Sequence, residues 1–115
     1  MYEGYKGLNV YQLSYSQVIE VYKVSKNFPR EELFVMTTQM RRAATSIPLN
    51  IAEGYGKKSS QTEYRRFLTI AKGSCNEIRV LIDLCYDLGY IEKEKHESLS
   101  KSYEDVSKML TGLMK

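Results

Sequence analysis

Apolar residues recur at helical spacing in four segments of the chain, and no segment alternates in the manner of a strand. Helices are predicted at about residues 9–26, 31–56, 60–88 and 92–114. The first carries its apolar residues at Tyr11, Tyr15, Val18, Ile19 and Tyr22. The third has the longest apolar stripe, running about eight turns from Tyr64 to Cys85. Residues 1–7 carry no such pattern and are predicted to be a frayed lead-in.

Turn signals separate these four segments. Pro29 ends the first helix, because the residue before a proline is displaced from the α region. Ser60 and Glu63 have the spacing of a capping box, in which each side chain bonds the backbone N–H of the other. Gly89 suits a left-handed helix stop. The whole 115-residue chain is therefore predicted to be one all-α domain, an antiparallel up-and-down four-helix bundle.

Pro48 interrupts the second helix. It removes a backbone donor and crowds the carbonyl of Ala44, which costs ~3 kcal/mol in an ordinary helix interior. The helix either kinks at Pro48 or breaks and restarts there. Because the apolar spacing continues from Ile47 to Ile51, a kink is favoured, with the helix ending near Gly56.

Two different stripes run along this second helix. The narrow apolar stripe is Met40, Ala44, Ile47 and Ile51. The polar stripe, roughly 130° round the axis, is Gln39, Arg42, Ser46, Asn50 and Glu53. It is either a solvated surface or a partly buried network at a contact between helices or subunits. The second interpretation is favoured, and it requires Arg42 and Glu53 to be paired, because an isolated buried charge is very costly.

The small positive charge of the chain is concentrated in its centre. The net charge is +3 overall, but residues 30–79 carry nine Lys or Arg against five Asp or Glu. On the third helix, Arg65, Lys72 and Arg79 recur at seven-residue spacing. They fall on one side of the helix, where a basic ridge could follow a phosphate backbone. The alternative is an ordinary exposed face balanced by Asp83.

Four further cations complete the candidate nucleic-acid surface. Lys57 and Lys58, in the turn before the third helix, could extend the ridge. Arg41 and Arg66 lie on other azimuths and are weaker candidates.

The sequence offers no catalytic constellation. His96, the only histidine, is expected to be a solvated side chain, and there is no Glu-x-x-His pair, phosphate-binding loop or Cys-x-x-Cys motif. We expect no enzyme activity, no cofactor and no metal. Cys75 and Cys85 lie about 15 Å apart along one helix, too far for a mutual disulfide. Buried free thiols, no apolar run of ~20 residues and no signal peptide predict a cytoplasmic protein.

Much of the chain, about residues 8–114, resembles one known family. The matching residues are Phe28-Pro29, Glu32, Gln39 to Arg42, Ser46-Ile47-Pro48, Asn50 to Gly54, Arg66-Phe67-Leu68, Ala71, Gly73-Ser74, Glu77 and Leu88-Gly89-Tyr90-Ile91. This pattern is similar to that of the four-helix-bundle proteins encoded in intervening sequences of bacterial 23S ribosomal RNA genes.

The resemblance implies partners as well as a fold. Similar bundles are accessory proteins of diversity-generating retroelements that form ring-shaped homopentamers and bind RNA and a reverse transcriptase. It implies that the segment from Arg41 to Gly54 lies along a subunit contact or the channel of a ring. Two hypotheses follow: a homo-oligomeric RNA-binding adaptor, or a structural module that binds only itself and a protein partner.

Overall fold

The computed structural model describes residues 3–115 and confirms the all-α four-helix bundle. The helices are α1 (Asn9–Ser25), α2 (Thr38–Gly56), α3 (Gln61–Asp87) and α4 (Lys93–Leu113). The bundle measures 44 × 25 × 25 Å. Helices adjacent in sequence pack side by side, and α4 closes the bundle against α1. An ion pair between Glu20 and Lys95 joins these last two helices.

The core is formed chiefly by α2, α3 and α4. Their predicted apolar faces are buried, with the fully buried side chains including Met40, Ile47, Ile51, Leu68, Ile78, Ile82, Tyr103, Val106 and Leu110. The two cysteines, Cys75 and Cys85, are buried free thiols, as the sequence predicts. Burial raises the pKa of each thiol to about 12, so neither is a reactive thiolate at neutral pH.

The inward face of α1 differs from the face that its apolar pattern suggests. The buried positions of α1 are Val10, Ser14, Gln17, Val21 and Ser25. The aromatic and aliphatic side chains of Tyr15, Ile19 and Tyr22 are instead between 44% and 54% exposed. A hydrogen bond from α2 meets the inward face of α1, where Arg41 Nε donates to Ser25 Oγ at 2.8 Å. Thus α1 turns a mixed face of valine and polar side chains inward and three of its larger apolar side chains outward, while the predicted Tyr11 and Val18 do pack against the core.

The segment before α2 departs from the predicted start of the second helix at residue 31. Arg30–Glu32 form a 3₁₀ turn and Leu33–Thr37 a π-helical turn. The hydroxyl of Tyr90 donates to Glu32 Oε2 at 2.6 Å, which raises the pKa of Tyr90 to about 12. The ring of Tyr90 also lies 5.4 Å from that of Phe28. These contacts hold the segment against the α3–α4 turn. Local helix propensity cannot predict them, because Tyr90 is far from this segment in the sequence.

The helix continues through Pro48, so the alternative of a break and restart is wrong. Pro48 is buried, and α2 ends at Gly56 as predicted. The packed faces on either side of the proline keep the helix together despite the missing backbone donor.

Most of the predicted helix start and stop signals are confirmed. Ser60 Oγ accepts a hydrogen bond from the Glu63 backbone N–H at 3.3 Å. The reciprocal half of the capping box is wrong, because the Glu63 carboxylate accepts two bonds from Arg66 instead. Gly89 has a φ of +81°, the left-handed stop that its position suggests.

The lead-in is ordered where the structure describes it. Gly4–Gly7 form a 3₁₀ turn, and the Tyr5 ring packs against the Tyr11 ring at a centroid distance of 4.9 Å. The prediction of a frayed lead-in is wrong for this turn, and residues 1–2 lie outside the described residues.

Gly54 permits a close approach between α2 and α3. A Cβ at this position would lie 3.0 Å from Phe67 Cβ and 3.4 Å from the backbone oxygen of Tyr64. We expect Gly54→Leu to lower the free energy of unfolding by about 1–3 kcal/mol through overpacking. Gly56→Leu is the matched control, because a Cβ there meets nothing within 4 Å. Equal losses in denaturant unfolding would contradict this account.

Gln17 places an unpartnered amide in the core. It is 3% exposed, and neither its Nε2 nor its Oε1 has a hydrogen-bond partner among residues 3–115. We expect Gln17→Met to raise the free energy of unfolding by about 1–3 kcal/mol, because the desolvated amide is removed while the side-chain length is kept. The exposed Gln61→Met is the control, with a change near zero. A lower melting temperature of Gln17→Met in thermal unfolding would contradict a destabilising role of the buried amide.

Candidate nucleic-acid interface

The predicted basic ridge lies on the flank of α3 that faces α4. Lys72 Nζ donates to Thr111 Oγ1 of α4 at 2.8 Å. Among residues 3–115, none of Arg65, Lys72 and Arg79 forms an ion pair with a carboxylate. Helical rise separates successive members by about 10 Å. The ridge therefore presents three positive charges that the described part of the chain does not neutralise.

Among residues 3–115, Asp83 forms no ion pair with a member of the ridge. Its carboxylate bonds His96 Nε2 of α4 at 2.8 Å. The His96 ring also stacks on the Tyr86 ring at a centroid distance of 4.5 Å. The expectation of a solvated His96 is therefore wrong, because the docking of α4 on α3 brings together residues that are far apart in sequence.

The two lysines before α3 have partners of different kinds. Lys57 Nζ lies 3.3 Å from Glu53 Oε2, an ion pair one helical turn apart. Lys58 Nζ lies over the Tyr55 ring, 3.9 Å from its centroid. Lys58 therefore retains its charge for a ligand, whereas Lys57 shares its charge with Glu53.

Arg66 is already occupied within the chain. It donates to both carboxylate oxygens of Glu63, at 3.1 and 3.2 Å, and its guanidinium lies 4.4 Å from the Phe67 ring centroid. The hydrogen bonds from Arg66 lower the pKa of the Glu63 carboxyl group. Arg66 is thus a less available phosphate ligand than Arg65.

Arg41 is a clamp between α1 and α2. Its guanidinium lies over the Tyr22 ring, 4.3 Å from the centroid, and its Nε donates to Ser25 Oγ. The sequence suggested only a weak phosphate ligand. The clamp could not be read from the sequence, because it depends on which face α1 turns inward.

Three members of the predicted polar stripe of α2 form a network at the α2–α3 contact. Arg42 Nη2 makes an ion pair with Glu77 Oε2. Ser74 Oγ donates to Ser46 Oγ at 2.8 Å, and Asn50 Nδ2 donates to the Ser46 carbonyl at 2.8 Å. The Arg42–Glu77 and Ser74–Ser46 contacts cross between the two helices that pack most extensively, whereas the Asn50 bond lies within α2 and supports Ser46.

The other two members lie outside this network. Gln39 is exposed, and Glu53 pairs with Lys57 rather than with an arginine. The stripe therefore bonds α3 through two of its five positions, Arg42 and Ser46, and Asn50 supports Ser46 from within α2. Its role in a contact between subunits stays a prediction.

Two exposed apolar surfaces were not anticipated as separate features. The aromatic stripe consists of Tyr15, Ile19 and Tyr22 on α1, and the aliphatic stripe consists of Ile70, Val80 and Leu84 on α3. The sequence did contain a signal for these two stripes. Once the core positions of each helix are assigned, the remaining apolar residues still recur at helical spacing.

Other kinds of site are not formed by the described residues. Residues 3–115 contain no group of three or more His, Cys, Asp or Glu side chains arranged to hold a metal ion. Within the same residues, no helix is both long enough and apolar enough to span a membrane.

The four helices, together with the Arg41 to Gly54 segment of α2, define a small all-α bundle built around a close α2–α3 contact. The family of 23S rRNA-intervening sequence proteins matches residues 6–112, and the chain belongs to this family. Comparison with curated proteins gave no match. Among solved structures, the chain is similar to a protein with unknown function from the S23 ribosomal protein family of Bacteroides thetaiotaomicron. The two share 28% sequence identity with a TM-score of 0.83, over 92% of this chain and 98% of the other.

The Arg42–Glu77 pair is expected to be weak in the isolated chain, because the two side chains are 60% and 37% exposed. A double-mutant cycle of Arg42→Ala and Glu77→Ala should give a coupling free energy of about 0.2–1 kcal/mol, falling with added salt. The matched cycle is the exposed pair Lys101 and Asp105 on α4. A coupling well above the control, insensitive to salt, would contradict a solvated pair.

Proposed function

We propose that this protein is a non-enzymatic, homo-oligomeric RNA-binding accessory protein of the cytoplasm. The observation that carries the proposal is the unneutralised basic ridge of Arg65, Lys72 and Arg79 on α3. Membership of the 23S rRNA-intervening sequence family agrees with a role close to RNA.

The pairing pattern of the cations supports the choice of this surface. Arg42, Arg66 and Lys57 already have carboxylate partners, and Arg41 is held against α1. A phosphate that approached those groups would have to displace an existing contact. The ridge has no carboxylate to displace, so it can replace condensed counterions on a nucleic acid directly.

Oligomerisation would make a ridge of only three charges effective. Three phosphate contacts to a single strand correspond to a salt slope of only about −2. Several copies held on one rigid body gain affinity through effective concentration without any new contact. The proposal is therefore that each copy binds RNA weakly and that several copies in one oligomer bind it more tightly.

The proposal excludes catalysis because the cysteine thiols and the histidine are already buried or bonded. The thiols of Cys75 and Cys85 are buried, and His96 is bound by Asp83 and Tyr86. Neither thiol is thus an exposed nucleophile, and the imidazole of His96 is not a free base.

A second candidate function is an interaction module whose partner is a protein. The observation in its favour is the π-helical turn before α2, where Leu33, Phe34 and Val35 are all exposed and Phe34 is 88% exposed. Such an apolar projection suits a pocket on another protein. By family resemblance that partner would be a reverse transcriptase.

RNA binding across a salt series tests the first candidate against the second. We expect labelled structured or single-stranded RNA to bind with an affinity that weakens as salt rises. The triple variant Arg65→Glu, Lys72→Glu and Arg79→Glu should abolish binding without changing the oligomeric mass. Loss of binding is expected because the variant places three carboxylates along the phosphate path.

A matched variant keeps this test specific. Lys93→Glu, Lys101→Glu and Lys108→Glu make the same change of net charge on α4, at residues outside the ridge, and should retain most of the RNA affinity. Equal loss in the two variants would show that only net charge matters. No binding by the unmodified protein at low salt would favour the protein-binding module.

A further inference from the structure

A pocket at the turn between α1 and α2 is lined by three cations. They are Lys26 at the end of α1, Arg30 in the 3₁₀ turn and Arg41 in α2. The pocket has a volume of about 210 Å³, and among residues 3–115 no Asp or Glu contributes to its lining. Positive charge from three separate elements therefore meets around one recess.

The charges around this pocket are not neutralised by carboxylates. Among residues 3–115, none of the three cations forms an ion pair. Glu31 and Glu32 follow Arg30 directly, but Glu31 is exposed to solvent and the Glu32 carboxylate accepts a hydrogen bond from the Tyr90 hydroxyl. Lys26 and Arg30 are exposed, so a ligand can reach both from solvent.

Arg41 is the fixed cation of the pocket. Its Nε donates to Ser25 Oγ at 2.8 Å, and its guanidinium lies over the Tyr22 ring. A side chain that is already held in one orientation loses little further freedom when a ligand binds. Arg41 therefore contributes a preorganised positive charge without giving up its own contacts, while Lys26 and Arg30 supply the donors that close on a ligand.

The rest of the lining is mainly apolar, with hydroxyl groups beside it. Phe28, which is 8% exposed, lines the pocket together with Pro29 and Leu33. Apolar surroundings lower the local dielectric constant, which strengthens the attraction between a cation and a bound anion. Thr37 adds a hydroxyl group to the lining, and a hydroxyl can donate to an anionic oxygen. The pocket thus combines charge, donors and a partly dry lining.

We propose that this pocket binds a phosphate group, either as inorganic phosphate or as the terminal phosphate of a nucleic-acid strand. A phosphate monoester carries roughly −1.5 to −2 charge at pH 7 and has three strong acceptor oxygens, which suits three cations better than a singly charged carboxylate does. Since a water molecule occupies about 30 Å³ in the liquid, the pocket has room for a tetrahedral oxyanion and several waters. It uses no residue of the basic ridge, so it goes beyond the proposed function.

Titration with inorganic phosphate, followed by the NMR shifts of the backbone amides, tests this pocket. Saturable shifts are expected among residues 25–41, whereas chloride at equal ionic strength should not reproduce them. Lys26→Gln together with Arg30→Gln should lower the phosphate affinity at least about tenfold, because two charge-assisted donors are removed. Both positions are exposed, so this double variant should remain folded.

A matched double variant removes the same charge elsewhere. Lys23→Gln together with Lys108→Gln deletes two lysines that pair with carboxylates outside the pocket, and it should retain the phosphate affinity. Equal weakening in the two double variants, or identical shifts with chloride, would overturn the proposal. The triple glutamate variant of the basic ridge should still bind phosphate at this pocket, so failure of RNA binding and failure of phosphate binding are distinguishable.

Two short RNA strands distinguish the sources of the phosphate, one with a 5′-phosphate and the same strand with a 5′-hydroxyl. Tighter binding of the phosphorylated strand, lost when Lys26 and Arg30 are replaced by glutamine, would assign the terminal phosphate of a nucleic acid. Equal binding of the two strands, with the shifts by inorganic phosphate retained, would assign the free ion. If none of these three probes shifts the amides of residues 25–41, the pocket does not bind phosphate and the proposal is overturned.

Discussion

The close approach of α2 and α3 is the constraint on which the rest of this bundle depends. Gly54 leaves no room for a methyl group beside Phe67, and the Ser46 and Ser74 hydroxyls meet across the same contact. Helices α2 and α3 therefore form a fixed pair that α4 completes with Tyr103 and its other buried residues. Because this pair is fixed, the flanks of α3 have defined directions: one toward α2 with the aliphatic stripe, and one toward α4 with the basic ridge.

This constraint also gives the segment from Arg41 to Gly54, which carries much of the family resemblance, a structural role within the chain. Asn50 bonds back to Ser46, Pro48 is buried, and Gly54 packs against α3. A segment that must fit one neighbour so closely tolerates few changes, whatever else it does. If this segment also contacts another subunit, the contact would be made by the exposed side of α2, where Leu49 lies.

Periodicity was sufficient to predict the number, order and approximate ends of the helices, and the buried faces of α2, α3 and α4. It failed for part of α1, where Tyr15, Ile19 and Tyr22 lie outward and the inward-facing Ser25 is bonded by Arg41 of α2. It also missed the partners of Asp83 and His96, which depend on how α4 lies on α3. The spacing of the basic ridge could be read from the sequence, but its lack of ion-pair partners required the packed structure.

The polar inner face of α1 has a consequence for the order in which the chain gains stability. Ser14, Gln17 and Ser25 contribute little to hydrophobic cohesion, so α1 adheres to the other three helices less strongly than they adhere to one another. Local opening should therefore begin at α1, and its amides should exchange with solvent hydrogen before those of α2 and α3. In an assembly that covers the aromatic stripe, the same helix would be held from both sides, and folding of the first helix would be completed by association.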